Sequence, residues 1–214
     1  MSRQHNQKRL AQNFLKDRRL VRRLVQLAKI DAGDIVYEIG PGRGIITAEL
    51  SQVANRVIAI EKDPALIRGL NDRFRAQRNV VIICDDFLNV GIPEARYKVF
   101  ANIPYNMTSS IVRKILWTNP TPIEAFLIVQ LEPARKFAGI GGETLFSALA
   151  KPYFKLRILA RLKRTDFDPV PRVDSVMLHI SKRPNALIPR GDSRAYRAFV
   201  SAGFEGWKPN LRTA

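Results

Sequence analysis

The chain has 214 residues, of which 46% are hydrophobic and 8% aromatic, a composition that supports a packed core and excludes a disordered chain. Lys and Arg number 36 against 19 Asp and Glu, a net charge of +17, which indicates a polyanionic partner, with nucleic acid favoured over an anionic membrane or mere solubility. No run of 18 apolar residues and no apolar leader at residues 1–15 are present, so we expect a cytoplasmic protein without a membrane span. The single Cys84 and the separated His5 and His179 predict neither a disulfide nor a metal site.

Residues 1–16 form a basic, polar N-terminal segment, and a helix is predicted directly after it. Over residues 17–29, Leu20, Leu24, Leu27 and Ala28 recur at helical spacing and predict the buried face. The opposite face carries Arg18, Arg19, Arg22 and Arg23. We expect this basic face to contact the backbone of a nucleic acid.

Strands and helices then alternate from residue 35 to about residue 130. The predicted strands are "DIVYEIG", "RVIAIEKD", "VVIICDD", "YKVFANI" and "IEAFLIVQLE", and the predicted helices are "IITAELSQVA", "PALIRGLNDRFRA" and "SSIVRKILW". This alternation predicts an α/β fold with a parallel, doubly wound, Rossmann-like sheet, in a domain covering residues 17–183. "KLRILARLKR" and "SVMLHISKR" read as late strands, and residues 190–214 as a helical segment. Basic residues of the first late strand and its end, Lys155, Arg161 and Arg164, are further candidates for RNA contacts, with a solvated strand face as the alternative.

A glycine-rich turn, "PGRG", follows the first strand of this series. Gly40 and Gly42 permit backbone conformations and close ligand approach that a Cβ would prevent, although the spacing departs from the dinucleotide fingerprint. Glu61 ends the next strand, where its carboxylate can accept hydrogen bonds from both hydroxyls of a ribose. The alternatives are a tight structural turn and a surface glutamate paired with Lys62.

Asp85 and Asp86 end the third strand. Two acids at this position fit a metal site, a helix cap or an acceptor for the exocyclic amine of an adenine. A glycine turn, a ribose acid and an adenine acid on successive strand ends suit a nucleoside without a pyrophosphate. S-adenosylmethionine is the candidate cofactor.

The fourth strand ends on "NIPY", residues 102–105. An exocyclic amine is a poor nucleophile because its lone pair is delocalised into the ring. The Asn102 side-chain oxygen and the Ile103 carbonyl can accept its N–H groups and direct the lone pair at a methyl donor, with Pro104 fixing the turn. Tyr105 offers a face on which a flipped base stacks. The alternative is a proline-kinked strand end with a core tyrosine.

Several stretches together resemble the rRNA adenine N6-dimethyltransferases across their whole catalytic domain. They are "QNFL", "EIGPGRG", "EKD", "DDFL", "NIPYNMTSS" and "FDPVPRVDS", in the family's order. Within the family, the Ile of "NIPYN" and the following "IVRKIL" are similar to the erythromycin-resistance (Erm) branch, which modifies large-subunit rRNA. The small-subunit branch more often has Leu there.

The resemblance implies roles for individual residues. Asn13 and Leu15 would lie over the cofactor and Gly40 against its methionine part. Glu61 would bind the ribose, Asp86 the adenine, and Asn102 would close the pocket. Phe167 would pack against the target base opposite Tyr105, whereas the residues alone suggest a core anchor in an extended loop. Family members carry a helical C-terminal domain, and the 22 residues after Asp192 suggest a truncated or reduced lobe.

The sequence therefore predicts mono- or dimethylation of an adenine N6 in 23S rRNA, with macrolide–lincosamide–streptogramin resistance, by a monomer. One alternative is a small-subunit rRNA dimethyltransferase, and another is a non-catalytic RNA- or transcription-binding protein on the same fold. A DNA adenine methyltransferase with a related tetrapeptide differs at Ile103, and no DNA-reading domain is visible.

Overall fold

A computed structural model describes residues 13–92 and 96–206. Its strands are β1 (Phe14–Leu15), β2 (Ile35–Ile39), β3 (Arg56–Glu61), β4 (Val80–Cys84), β5 (Lys98–Asn102), β6 (Glu124–Gln130), β7 (Phe154–Leu162), β8 (Phe167–Asp168) and β9 (Ser175–Lys182). Its helices are α1 (Arg18–Leu27), α2 (Ile45–Leu50), α3 (Pro64–Phe74), α4 (Thr108–Trp117), α5 (Leu131–Ala138), α6 (Leu145–Ala150) and α7 (Ser193–Gly206). Within these two ranges, no helix has the length and apolar character needed to cross a bilayer.

A seven-stranded sheet organises the molecule, with strand order β4-β3-β2-β5-β6-β9-β7. Strands β2 to β6 pair in parallel, and β9 and β7 continue the sheet in antiparallel orientation. The parallel strands are nearly continuous apolar runs because both of their faces are covered. The predicted doubly wound α/β fold is confirmed, and the direction of winding reverses between β2 and β5, where ligands bind in such sheets.

The two faces of the sheet are covered by different helices. On one face, α1 and α2 pack over Val36, Val57 and Phe100. On the other face, α4 and α5 pack over Val99, Leu127 and other side chains of the central strands. The sheet is therefore buried on both sides, and its strand ends are left to form sites.

The first helix buries a different face from the one predicted. Asp17 caps α1 by accepting the N–H of Arg19, and the buried positions are Val21, Leu24, Val25 and Ala28. These positions follow i, i+3, i+4, i+7 spacing, whereas Leu27 is 49% exposed. The prediction of a helix was right and Leu20 packs against the same cluster, but Leu27 was wrongly assigned to the core face.

The fifth predicted strand extended too far. β6 ends at Gln130, and Leu131 begins α5, which has Pro133 in its first turn and ends at Gly139 in the left-handed conformation. The predicted strand "IEAFLIVQLE" included Leu131 and Glu132 because the apolar run continues across the junction. Helices α5 and α6 were not predicted.

A short ribbon joins the N-terminal segment to the domain. β1 pairs with β8 in antiparallel register, Phe14 opposite Asp168 and Leu15 opposite Phe167. The residues from 13 to 16 thus pack on the domain that was predicted to begin at residue 17. Residues 1–12 of that segment, and residues 207–214 of the predicted helical C-terminal segment, lie outside the described residues.

Candidate active site

A cavity opens at the carboxyl ends of β2, β3, β4 and β5, beside the point where the winding reverses. It is lined by Asn13, Phe14, Ile39, Gly40, Gly42, Ile60, Glu61, Lys62, Asp85, Asp86, Phe87, Asn102, Ile103, Pro104, Tyr105, Met107 and Ile111. The acidic ends of β3 and β4, the glycine turn and the "NIPY" tetrapeptide predicted from the sequence therefore meet in one place.

The glycine turn is required for two different reasons. Gly40 and Gly42 have φ angles of 66° and 58°, in the left-handed region that side chains disfavour. A Cβ at Gly42 would lie 2.6 Å from Cε1 of Phe14, whereas a Cβ at Gly40 would meet nothing within 4 Å. Gly42 thus permits Phe14 to lie against the turn, while the constraint at Gly40 is conformational.

Glu61 is held in the wall of the cavity by backbone groups. The N–H of Gly42 donates to its Oε2 at 3.1 Å, and the N–H of Asp63 donates to its Oε1 at 2.9 Å. The residue is only 4% exposed, so the alternative of a surface glutamate paired with Lys62 is wrong. Each carboxylate oxygen keeps acceptor capacity for a ligand hydroxyl.

The two aspartates at the end of β4 shape the loop that follows it. Oδ1 of Asp86 accepts the N–H of Leu88 at 2.9 Å, and Oδ1 of Asp85 accepts the N–H of Asp86. Lys62 Nζ lies 3.9 Å from Oδ2 of Asp86. Asp86 is therefore partly occupied as a turn cap and presents its second oxygen at the cavity.

Asn102 has a fixed amide orientation. Its Nδ2 donates to the backbone carbonyl of Asn13 at 2.7 Å, which identifies the other end of the amide as the acceptor Oδ1. The next residue, Ile103, is 2% exposed and donates its N–H to the Ile128 carbonyl at 3.1 Å. The end of β5 is thus anchored from both sides.

Tyr105 is positioned by its hydroxyl and by the turn around it. The hydroxyl hydrogen-bonds Oγ of Ser175 at 2.9 Å, and the Tyr105 carbonyl accepts from Oγ1 of Thr108. Its side chain is half-buried and lines the cavity, so the ring has a face available beside Asn102. The alternative of a core tyrosine does not describe this position.

The family model described as "Ribosomal RNA adenine dimethylase" matches residues 3–214. The chain belongs to the ribosomal RNA adenine dimethylase family. This confirms the family to which the sequence motifs pointed.

Three relatives place the chain within the dimethylase family. An "rRNA adenine N-6-methyltransferase" of Aeromicrobium erythreum is 37% identical over 92% of this chain and 58% of its own length. A "Ribosomal RNA small subunit methyltransferase A" of Acaryochloris marina is 33% identical over 83% of this chain and 71% of its own length. A crystal structure of the 23S rRNA methyltransferase ErmE superposes with a TM-score of 0.86 at 32% identity, over 93% of this chain and 82% of that one. The chain thus spans less than two thirds of the length of the Aeromicrobium relative.

Two residues that the dimethylase resemblance assigned to ligands lie in the core. Leu15 is 4% exposed and Phe167 is 1% exposed, and both pack in the cluster beneath α1. Because successive side chains of a strand point to opposite sides, burying Leu15 turns Phe14 toward the cavity. The predicted roles of Leu15 over the cofactor and Phe167 against the base do not fit these positions, and Phe14 was missed.

The arginines of α1 fall into two classes. Nε of Arg18 and Nε of Arg22 donate to Glu49 at 2.5 and 3.0 Å, and Glu49 is 3% exposed. Burial works to raise the pKa of Glu49, but the two arginines outweigh it and lower that pKa. All four arginines are exposed, but Arg19 and Arg23 form no ion pair with a carboxylate of the described residues and are therefore freer to meet a nucleic acid.

The other predicted RNA contacts do not form a single surface. A bulge between Ile158 and Ala160 shifts the register of β7 against β9. Lys155 therefore pairs with Ser181 on the α1 face of the sheet, whereas Arg161 pairs with Val176 on the opposite face. Arg164 lies 3.6 Å from a carboxylate oxygen of Asp174. These three residues therefore do not share one face of β7, and their contacts with RNA stay a prediction.

A buried acid beneath the glycine turn was not predicted. Glu38 is fully buried on β2. Burial raises the pKa of Glu38 to about 8 against the opposing effect of hydrogen bonding by the side chain and backbone of Thr47, and the nearby charge of Glu61 adds to the increase. The position could have been suspected from a charged residue inside the apolar run "DIVYEIG".

Proposed function

We propose that this chain binds S-adenosylmethionine and methylates the N6 atom of an adenine in rRNA. The observation that carries the proposal is the Asn102 amide. Its Nδ2 is already bonded, so its oxygen is left as an acceptor in the same cavity as Glu61 and Asp86, the proposed acceptors for a nucleoside. Membership of the ribosomal RNA adenine dimethylase family supports the same activity.

The residues of the cavity fit the cofactor part by part. Phe14 and the glycine turn would cover the amino-acid end, where a Cβ at Gly42 would clash. Glu61 would accept the ribose hydroxyls, and Asp86 the exocyclic amine of the cofactor's adenine. Asn13 contributes through its backbone, because its carbonyl fixes the amide of Asn102. S-adenosylmethionine would supply an electrophilic methyl group on a sulfonium.

The tetrapeptide would act on the electrons of the target amine. Oδ1 of Asn102 and the carbonyl of Ile103 would each accept one N–H of the adenine N6, which favours a pyramidal nitrogen with its lone pair directed at the methyl group. These acceptors are rigid, since Ile103 is hydrogen-bonded to β6 and Pro104 has its φ fixed at −54°. Preorganised acceptors need no rearrangement during the reaction, which is where their catalytic value lies.

Tyr105 would hold the base after it leaves the stack. Its ring borders the cavity beside Asn102, and the bond to Ser175 restricts its rotation. Stacking on an aromatic ring contributes about 1–3 kcal/mol per base. Phe167 is too deeply buried to supply the second face of this clamp.

We place the substrate in 23S rRNA, which would give resistance of the macrolide–lincosamide–streptogramin type. Similarity to ErmE and Ile103 within the tetrapeptide support this branch. The similarity to a small-subunit enzyme keeps 16S rRNA as the second candidate. A non-catalytic RNA-binding role is disfavoured because a binder does not need amine acceptors beside a nucleoside site. The enzyme would act in the cytoplasm, and a monomeric state remains a prediction.

The experiment offers purified 23S and 16S rRNA in parallel with cofactor labelled on the methyl group. We expect label in one adenine of 23S rRNA, located by primer extension, with digestion to nucleosides separating mono- from dimethyladenosine. Label in 16S rRNA alone would select the small-subunit alternative. RNA binding without any label would select the non-catalytic alternative.

A further inference from the structure

A second concave surface lies at the end of the sheet opposite the candidate active site, beside the start of β6. It is bounded by the end of α4 and the following loop, by the end of β9, and by the first turns of α7. Lys182, which ends β9, lies beside the start of β6, whereas the active-site cavity surrounds the opposite strand ends. β6 has seven residues, so the two sites are separated by roughly 20 Å along the sheet. We call this surface the α7 groove.

The α7 groove is positively charged. Its lining includes four basic residues and, within the part of the chain that the structure describes, no acidic one. The four are Lys182, Arg183, Arg194 and Arg197. None of them forms an ion pair with a carboxylate of the described residues, in contrast to Arg18, Arg22 and Arg164. Their charge is therefore available to an anionic partner.

The groove has a defined shape. Nε of Arg183 donates to the Lys151 carbonyl at 2.7 Å, which fixes the direction of that guanidinium. The Tyr196 hydroxyl donates to the Ala148 carbonyl at 2.9 Å and attaches α7 to α6. The N-terminus of α7, a helix of 14 residues, opens into the groove and adds partial positive charge.

An aromatic ring is part of the same surface. Trp117 is 42% exposed, and the guanidinium of Arg197 lies 5.5 Å from its ring centroid. Cations interleaved with an exposed aromatic ring are typical of surfaces that follow a nucleic-acid backbone and stack an unpaired base. An acidic peptide would match the charge but has no nucleobase to stack on the tryptophan ring.

We propose that the α7 groove binds the phosphate backbone of RNA at a point several nucleotides away from the methylated adenine. This inference rests on the proposed function for the identity of the RNA. A long rRNA fragment would engage both the active-site cavity and the groove, whereas a short hairpin would reach only the cavity. The groove would therefore select for larger rRNA substrates by adding a second attachment point.

The test compares Arg194→Glu/Arg197→Glu with a control of equal charge change, Arg75→Glu/Arg78→Glu. The control residues are exposed and precede β4, at the opposite edge of the sheet from β7. Binding of a long rRNA fragment and of a short hairpin carrying the same target is measured over a salt series. A charge-keeping variant, Arg194→Lys/Arg197→Lys, and thermal melts of all variants separate charge from folding.

For the groove variant we expect the affinity for the long fragment to fall about tenfold or more, the loss of at least one charge-assisted bond. The log–log salt slope should decrease by about 1.4–1.8, from two phosphate contacts at about 0.7–0.9 each. Hairpin binding and hairpin methylation should remain at the parental level, and the lysine variant should bind like the parent. In a Trp207→Phe background, the long fragment should also quench the fluorescence of Trp117.

Equal losses in the groove variant and the control, or unchanged affinity for the long fragment, would overturn the proposal. Loss of poly-glutamate binding with RNA affinity intact would assign the groove to an acidic protein instead. If the parent chain binds both RNAs but methylates neither, the proposed function fails, while the difference between the two variants still decides the groove.

Discussion

At the scale of single residues, Asn102 connects the end of β5 to the N-terminal residues that line the candidate site. Its Nδ2 is bonded to the Asn13 carbonyl, which leaves its oxygen as the acceptor that we propose for a target amine. Glu61 is organised in the same way, with each oxygen already holding one backbone N–H. Both side chains are therefore oriented before any ligand arrives, which reduces the cost of binding.

The role of Glu61 predicts a change in cofactor affinity. Glu61→Gln keeps the size of the side chain but removes the charge and replaces one acceptor oxygen by a donor, so one ribose bond is lost. We expect the dissociation constant for S-adenosylmethionine to rise about 10- to 150-fold, the equivalent of about 1.5–3 kcal/mol for one charge-assisted bond. Titration calorimetry measures this dissociation constant. Glu132→Gln is the matched control, because the side chain of Glu132 is 71% exposed. Equal affinities for the two variants would remove Glu61 from the ribose site.

The buried Glu38 predicts a dependence of stability on pH. Its pKa is raised in the folded protein from 4.5 to about 8, so the folded state holds a proton that the unfolded state loses above pH 4.5. Its contribution to stability is complete below pH 4.5 and declines as the pH rises to about 8, by at most about 1.4 kcal/mol per pH unit. Glu38→Gln should abolish this decline and should therefore be more stable than the parent at pH 8. Denaturant melts from pH 5 to 9 give the difference in unfolding free energy, and a difference that does not vary with pH would contradict the assignment.

At the scale of secondary-structure elements, α1 shows how a basic face divides between structure and surface. Arg18 and Arg22 compensate the buried carboxylate of Glu49 and thereby attach α1 to α2. Arg19 and Arg23 project to solvent from the same helix. The bulge in β7 has a comparable effect, because it sends Lys155 and Arg161 to opposite faces of the sheet.

This division predicts that two double variants of α1 behave differently. Arg18→Ala/Arg22→Ala leaves Glu49 buried without partners and should destabilise the fold by about 2–4 kcal/mol, reduced from the buried-pair value because both arginines are more than half exposed. Arg19→Ala/Arg23→Ala should leave the melting temperature unchanged and flatten the salt dependence of RNA binding by about 1.4–1.8 in log–log slope. Thermal melts and salt titrations on both variants decide this. A parental salt slope in the second variant would show that these arginines do not contact RNA.

The elements that the sequence predicted well are those specified locally. β2 to β5 are apolar runs ended by Gly, Glu, Asp or Asn, and Asp63 with Pro64 marks the start of α3. The junction of β6 and α5 was missed because Leu131 prolongs the apolar run and no capping side chain precedes it. The orientation of Phe14 and the burial of Phe167 depend on β8, which pairs with β1 across about 150 residues of chain. Pairing at that distance leaves no local pattern in the sequence.

At the scale of the whole molecule, the sheet separates two surfaces with different proposed roles. The carboxyl ends of the parallel strands carry the acidic and amide acceptors of the proposed catalytic site, and the basic α7 groove lies at the opposite end of the sheet. The net charge of the chain is +17, so a long RNA would meet positive potential on its way to the cavity. Affinity would then arise mainly from phosphates and chemistry from four residues at the end of β5.

The central claim is that Asn102 acts on the target amine rather than on RNA affinity. Its most direct test is single-turnover methylation of an rRNA hairpin by Asn102→Ala, with saturating RNA and cofactor and with RNA binding measured in parallel. Tyr105→Phe is the matched variant in the same motif: it keeps the stacking face and loses only the bond to Ser175, worth about 0.5–1.5 kcal/mol. We predict that Asn102→Ala lowers the methylation step by about 100-fold or more, as loss of a preorganised electrostatic group does, while RNA binding persists and Tyr105→Phe stays active. Methylation by Asn102→Ala at the parental rate would contradict the mechanism.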